Sequence, residues 1–296
     1  MSDTEKKNEQ TSVTNESPSI ESQSSKRSLS EEKDTRNEQQ SEENEPKRSK
    51  LESPFDDLKI SDDSILDTIK ERTTCPTCKK SVKYFCYRCF TVVGMDRSEI
   101  PSLKLPVPLN IIKHEQELDG KSTALHSAVI AHDDVKVYSW QEIPEFEKPE
   151  RTLLLFPGDD AKRLEDIPRE SFDRITVIDG TWKQAGKIVR ETPVLQRMQK
   201  VTIAPRKTHF WRYQQLGENH LATIEAIYYV YREFTEAYEI EKDQPYDGRY
   251  DNLLFYYRFF YNMIQHIYRH QKKGKKFTSR HRSDYIQYQG DKEKPQ

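Results

Sequence analysis

The chain has 296 residues, 33% of them hydrophobic and 33% charged, with a formal net charge of -2. No run of 18 apolar residues occurs, which excludes a membrane-spanning helix, and the polar, acidic N-terminus lacks the hydrophobic segment of a secretory leader. The expectation is an intracellular, soluble protein without a uniformly basic nucleic-acid coat, although a balanced total leaves room for a local patch.

Residues 1–54 contain no aromatic side chain and consist largely of Ser, Glu, Lys, Asn and Gln. Such a stretch cannot bury enough apolar surface to offset its ordering entropy, so it is expected to be a disordered polar tail. Within it, Lys47, Arg48 and Lys50 form a short basic cluster of the kind read by nuclear import, which points to the nucleus, with the cytoplasm as the other compartment. From Phe55 onward the chain carries all 16 Tyr, 12 Phe and 3 Trp. That is enough for one large domain with a small appendage.

The appendage is expected at residues 55–95. All four cysteines lie there, Cys75 and Cys78 in CPTC and Cys86 and Cys89 in CYRC, with seven residues between the pairs. In a reducing compartment this spacing favours two thiolate knuckles closing on one tetrahedral Zn²⁺ over disulfides or a redox pair. Four sulfurs fill the coordination shell, so such a zinc is structural and folds a ribbon too short for its own core.

Residues 96–270 read as alternating strands and helices. PSLKLPVPLNIIKH (101–114) ends in a short apolar strand near His114, and DDVKVYSW (133–140) alternates like a strand. RTLLLFPGDDA (151–161) suits a strand buried on both faces that opens into a loop at Pro157 and Gly158. ITVIDGT and WKQAGKIVRE predict a strand, a tight turn and a helix, and KVTIAP (200–205) predicts a further buried strand. A helix over 222–238, with Ala222, Ala226 and Val230 at four-residue intervals, and a long aromatic helix over 251–270 complete the pattern. Strands alternating with helices imply a parallel α/β sheet. Residues 271–296 then form a basic polar tail. Its start, with Lys272 and Lys273, is either a solvated helix end or a phosphate-binding stripe.

Ligands of parallel sheets sit beyond the carboxyl ends of the strands, and three such ends carry polar loops here: FPGDD, DGTW and APRKT. Asp179 in DGTW is readable as a helix N-cap or as a functional carboxylate, and Thr181 could cap equally well. Gly180 permits a positive φ or close backbone approach, and Trp182 could be core or a pocket wall.

DGTW resembles the signature of the DTW-domain family of tRNA-uridine aminocarboxypropyltransferases, a branch of the knotted SPOUT superfamily. The cysteine pairs, IIKHEQELDGKSTALHS, LLLFPGDDA and HLATIEAIYYV agree with it in order, over about residues 73–270. IPSLKLPVPLNIIKH, FWRYQ and YDNLLFYYRFFY are most similar to the first of its two animal branches. The family's His-Pro-x-Glu stands here as His114, Glu115, Gln116, Glu117, and its Ser-Thr-x-Glu-Ala as Ala222, Thr223, Ile224, Glu225, Ala226.

The resemblance implies a SPOUT-like sheet with a C-terminal trefoil knot. It also implies transfer of the 3-amino-3-carboxypropyl group of S-adenosylmethionine to N3 of a uridine in tRNA, releasing methylthioadenosine. Asp179 would be the base, Thr181 would hydrogen-bond a ligand or the Asp179 carboxylate, and Trp182 would wall the pocket or stack on a base. Leu155, Pro157, Gly158, Gly180, Ala204, Leu221, Thr223 and Glu225 would hold the donor. Arg206, Lys207, Arg212, Lys272 and Lys273 would meet tRNA phosphates, and His114 would line the site. A SPOUT-type RNA methyltransferase and a non-catalytic, zinc-containing RNA-binding protein are the competing readings. The oligomeric state is open.

Overall fold

The computed structural model describes residues 53–212, 217 and 219–270. The basic cluster at Lys47, Arg48 and Lys50, nearly all of the expected tail over 1–54, and Lys272 and Lys273 lie outside the described residues.

Five parallel strands form the central sheet: β3 (Leu109–Lys113), β4 (Val135–Ser139), β5 (Thr152–Leu155), β6 (Arg174–Asp179) and β7 (Gln199–Val201), in the order β4-β3-β6-β5-β7. Two shorter strands precede them, β1 (Thr73–Thr74) and β2 (Ser81–Val82), paired antiparallel in the cysteine-bearing segment. Successive residues of a strand point to opposite faces, and the two faces are buried against different helices. Leu109 and Ile111 of β3, Leu153 of β5 and Ile175 and Val177 of β6 share one core cluster. Ile112, Leu154 and Ile178 belong to the other. This two-sided burial explains why the sequence of β3, β5 and β6 runs almost continuously apolar.

The second face is covered by α3 (Trp182–Glu191) and α4 (Pro193–Gln196). Ala185, Ile188 and Val189 recur at helical spacing and are buried, and α3 stops where Pro193 excludes a helical conformation at Thr192. The first face is covered by α5 (Thr223–Tyr238), whose Ile224, Ile227, Tyr228, Tyr231 and Phe234 form the buried stripe. Tyr231 also donates its hydroxyl to the Val107 carbonyl at 2.9 Å, fixing α5 to the chain entering β3. The expected row at Ala222, Ala226 and Val230 runs along the flank of that stripe, and Ala226 is only half-buried.

The final helix α6 (Phe255–His270) follows a 3₁₀ turn over Asp251–Leu254, so it begins four residues later than its aromatic pattern suggests. Tyr257 enters the main core, while Phe255, Tyr256 and Phe259 pack against Tyr84 and Phe85 of the cysteine-bearing segment. Two short α-helices, α1 (Ile65–Thr68) and α2 (Leu125–Ile130), and several 3₁₀ turns lie in the connecting segments.

One strand differs from expectation. KVTIAP supplies only Lys200 and Val201 to the three-residue strand β7 at the edge of the sheet, and the chain leaves it after Val201. Pro205 cannot donate to a ladder, and among the described residues the outer side of β7 is met only by a bridge from Lys162 to Val201. No helix among the described residues is long and apolar enough to cross a membrane.

Candidate active site

β6 ends at Asp179, whose side chain is only 3% exposed. Its register partner on β3 is Lys113, and its carbonyl accepts the His114 amide at 2.9 Å. Two hydroxyls from distant segments hold the carboxylate. Ser122 donates to Oδ2 at 2.6 Å, and Thr223, the first residue of α5, donates to Oδ1 at 2.7 Å. Ser122 and Thr123 lead into α2, and the Thr123 hydroxyl accepts the Ile224 amide at 3.3 Å. The end of β6, the approach to α2 and the start of α5 are thereby locked together. Burial pushes the Asp179 carboxyl above its ordinary range, opposed by the two hydroxyls and the Lys113 charge.

Asp179 does not cap the helix that follows it. That position belongs to Thr181, whose hydroxyl accepts the Gln184 amide at 3.4 Å while the Gln184 side chain accepts the Thr181 amide at 2.8 Å. The sequence left Asp179 and Thr181 as rival caps; the structure assigns the cap to Thr181 and frees Asp179 to face the other way. The hydroxyls on the Asp179 carboxylate therefore come from Ser122 and Thr223, not from Thr181. Gly180 between them is required by close approach: a Cβ there would lie 3.2 Å from the His114 Cβ and 3.1 Å from the Gln184 side-chain oxygen.

Two adjoining cavities meet at this corner. A cleft of about 700 Å³ contains Asp179, Ser122, Thr181 and Arg212, and a narrower cavity of about 200 Å³ contains Leu155, Pro157, Ala204 and Ala226. Both are walled by Gly180, Trp182, Leu221 and Thr223. The Trp182 ring is held edge-on to His220, with centroids 5.1 Å apart. Of the residues expected at the donor, Leu155, Pro157, Gly180, Ala204, Leu221 and Thr223 line the narrower cavity, as does Arg206.

The others are placed differently. Glu225 lines neither of these cavities. Its buried carboxylate accepts the Thr208 hydroxyl at 2.6 Å and the amides of His209 and Ala222, both at 2.7 Å. It closes the first turn of α5 and ties down the loop after β7. Gly158 also lines neither cavity and packs against Asp160 and Lys200. Arg206 is no free surface charge: it lies 3.7 Å from the Glu233 carboxylate and 5.1 Å over the Tyr229 ring. Lys207 is exposed. Arg212 lies in the wall of the wide cleft and donates to the Lys121 carbonyl. His114 is buried, accepts the Gln116 amide at Nδ1 and stacks obliquely on Trp140, with centroids 5.4 Å apart. It supports the corner from behind.

Ser122, Lys113 and Glu117 were absent from the sequence-based site. For Ser122 the available signal was DGKST at 119–123, two hydroxyl residues after a glycine just before a helix.

The four cysteine Sγ atoms lie within 4.8 Å of one another, those of Cys78 and Cys86 at 3.4 Å. A tetrahedral zinc thiolate centre sets its sulfurs about 3.8 Å apart, from Zn–S bonds of about 2.3 Å. The two knuckles share one backbone plan. Lys79 and Phe90, each following a CxxC, have φ of 60° and 54°, and their amides bond back to the carbonyls of Cys75 and Cys86 at 3.1 and 2.9 Å. The amides of Cys78 and Thr77 point at the Cys75 sulfur and hold its thiol below the usual range, while burial and the neighbouring thiols push Cys86 and Cys89 up, so a bound cation is what would keep all four as thiolates. This donor set fits a closed four-sulfur metal site.

The DTW domain family matches residues 83–265. A tRNA-uridine aminocarboxypropyltransferase 1 from Xenopus tropicalis is 34% identical over 253 residues, covering 70% of this chain and 85% of the frog protein. Proteins of the same name from Mus musculus and Homo sapiens are each 33% identical, covering 76% and 72% of this chain and 88% and 84% of their own lengths. No solved structure matches the chain.

Proposed function

The chain belongs to the DTW-domain family, and from that premise we propose that it transfers the 3-amino-3-carboxypropyl group of S-adenosylmethionine to N3 of a uridine in tRNA. The observation that carries this reading is the position of Asp179, a buried carboxylate at the junction of two cavities that share one wall.

The donor supplies an electrophilic carbon beside a sulfonium, so the protein's work is to position that carbon and to accept a proton. The narrow cavity, with walls at Leu155, Pro157, Ala204 and Leu221, would hold the adenosyl part, and the small side chain of Ala226 leaves room there. The wide cleft would admit the uridine. Asp179 would take the N3 proton as the N3–carbon bond forms and the carbon–sulfur pair returns to sulfur, which leaves as methylthioadenosine. A carboxyl raised by burial is a stronger base than an ordinary aspartate, and its Ser122 and Thr223 hydrogen bonds aim it. Trp182, common to both cavities, would wall the pocket or stack on the uridine base, and the exposed Lys121, Lys183 and Lys207 would meet tRNA phosphates.

The same reading takes the cysteine cluster as a structural zinc site, supported by its sulfur geometry and amide donors. It takes the sheet as SPOUT-like, supported by the insertion of β6 between β3 and β5, and takes the C-terminal knot from the family resemblance. Nuclear residence belongs to the proposal as well, on the basic cluster at Lys47, Arg48 and Lys50. The reaction is tested by incubating the protein with unmodified tRNA and S-adenosylmethionine and identifying the nucleoside and the by-product. Methylthioadenosine with an aminocarboxypropylated uridine is expected. S-adenosylhomocysteine with a methylated nucleoside would replace the proposal with a methyltransferase.

A further inference from the structure

The wide cleft holds charges of both signs beside Asp179. Arg212 and Glu117 line it together with Lys121. The Arg212 guanidinium donates one N–H to the Lys121 carbonyl and sits 5.4 Å over the Phe210 ring. Both contacts fix its orientation, and none of its other N–H groups has a partner among the described residues. Glu117 is positioned through its backbone, whose carbonyl accepts Lys113 Nζ at 2.7 Å. Its half-buried carboxylate accepts no hydrogen bond among the described residues.

A pre-set guanidinium fork and a spare carboxylate in one cleft do not suit a nucleic-acid phosphate, which Glu117 and Asp179 would repel. They suit a zwitterion. We propose that Arg212 and Glu117 clamp the amino-acid end of the sulfonium donor, Arg212 receiving its α-carboxylate and Glu117 its α-ammonium. This rests on the transfer reaction proposed above, and it gives Arg212 a different task from the tRNA contact expected from sequence.

The clamp accounts for the choice of group transferred. A sulfonium donor carries three carbons on sulfur, and the one presented to the acceptor is decided by which substituent the protein anchors next to the base. Anchoring the charged end of the aminocarboxypropyl chain in the cleft that contains Asp179 directs its terminal carbon to the uridine and turns the methyl group away. Burial and the Asp179 charge push the Glu117 carboxyl up, so an incoming ammonium also relieves two carboxylates sharing one site.

The test compares S-adenosylmethionine with its decarboxylated analogue as donors to unmodified tRNA, using the full chain. In Arg212→Ala, kcat/KM for S-adenosylmethionine should fall on the order of 10- to 100-fold, mainly through KM, as expected for one lost charge-assisted interaction. Activity with the decarboxylated donor should change little, so that the wild-type preference disappears, and tRNA affinity with its salt dependence should stay as in the wild type. Glu117→Gln should weaken both donors alike, since both keep the ammonium. If Arg212→Ala impairs both donors equally, or weakens tRNA binding with a shallower salt slope, Arg212 is a phosphate contact and the clamp is wrong. Should the alanine variant fail to fold, Arg212→Lys keeps the charge without the fork and must shift the donor preference in the same direction. If the wild type transfers nothing from either donor, the failure lies in the transfer reaction; if it transfers the group and the variants leave donor preference intact, the failure lies in the clamp alone.

Discussion

The Thr223 hydroxyl reaches the Asp179 carboxylate at 2.7 Å although 44 positions separate the two residues. Together with Ser122 it opposes the effect of burial on Asp179. Removing either hydroxyl therefore raises the Asp179 pKa further, and the ionised base appears only at higher pH. In Ser122→Ala and Thr223→Val the acid limb of the kcat/KM profile should move to higher pH, with a rate loss at neutral pH of up to about 1.5–3 kcal/mol, the worth of one hydrogen bond to a charged group. An unmoved acid limb would show that the titrating group is not the one these hydroxyls touch.

The same burial has a consequence for folding. Asp179 in the fold has a pKa above the 3.8 of an ordinary aspartate, so it contributes stability below about pH 3.8 that is lost as pH rises through the folded value. At neutral pH the ionised carboxylate opposes folding. Asp179→Asn should accordingly melt higher than the wild type near neutral pH, with the gap closing as the pH falls toward 3.8. A lower melting temperature at neutral pH would mean that its hydrogen bonds outweigh its desolvation.

Burial pushes the Glu225 carboxyl up as well, but more donors converge on it. Its carboxylate is the shared acceptor for the Thr208 hydroxyl and the amides of His209 and Ala222, so Glu225→Ala leaves three donors unsatisfied in the interior. A loss of roughly 2–5 kcal/mol is expected in denaturant unfolding, with a smaller loss for Glu225→Gln. If instead Glu225→Ala unfolds like the wild type and only the donor KM rises, this residue contacts the donor.

These contrasts show what the sequence could convey. The β-branched and leucine runs of β3, β5 and β6 announced buried parallel strands, because burial on both faces leaves no room for polar alternation. DGTW marked the corner because it stands at the carboxyl end of a parallel strand, where ligands of such sheets sit, and because it resembles the family signature. What local pattern could not show was partnership across the fold. Whether Asp179 or Thr181 capped α3 was undecidable from spacing, since both residue types cap well. It is settled by the reciprocal Thr181–Gln184 bonds, while the Asp179 carboxylate is taken by Ser122 and Thr223, brought in from the approach to α2 and from the start of α5. The three donors that meet Glu225 were hidden for the same reason: a motif position says that a carboxylate is needed, not which segments it ties together.

The cysteine cluster predicts one zinc ion per chain, measurable by elemental analysis. Tyr84 and Phe85 between the knuckles pack on Tyr256 and Phe259 of α6, so losing the metal should loosen that helix rather than the Asp179 corner. Chelation, or Cys75→Ser, should lower the melting temperature while leaving the rate per folded molecule nearly unchanged. A pure rate effect without a change in melting would contradict a structural role.

The most direct measurement of the central claim is single-turnover transfer by Asp179→Asn, with donor and tRNA binding measured in parallel. If Asp179 accepts the uridine proton, both substrates bind as they do to the wild type and the rate of transfer falls by at least about 100-fold, the scale of a lost general base. An unchanged transfer rate, or a loss fully explained by weaker tRNA binding, would contradict it.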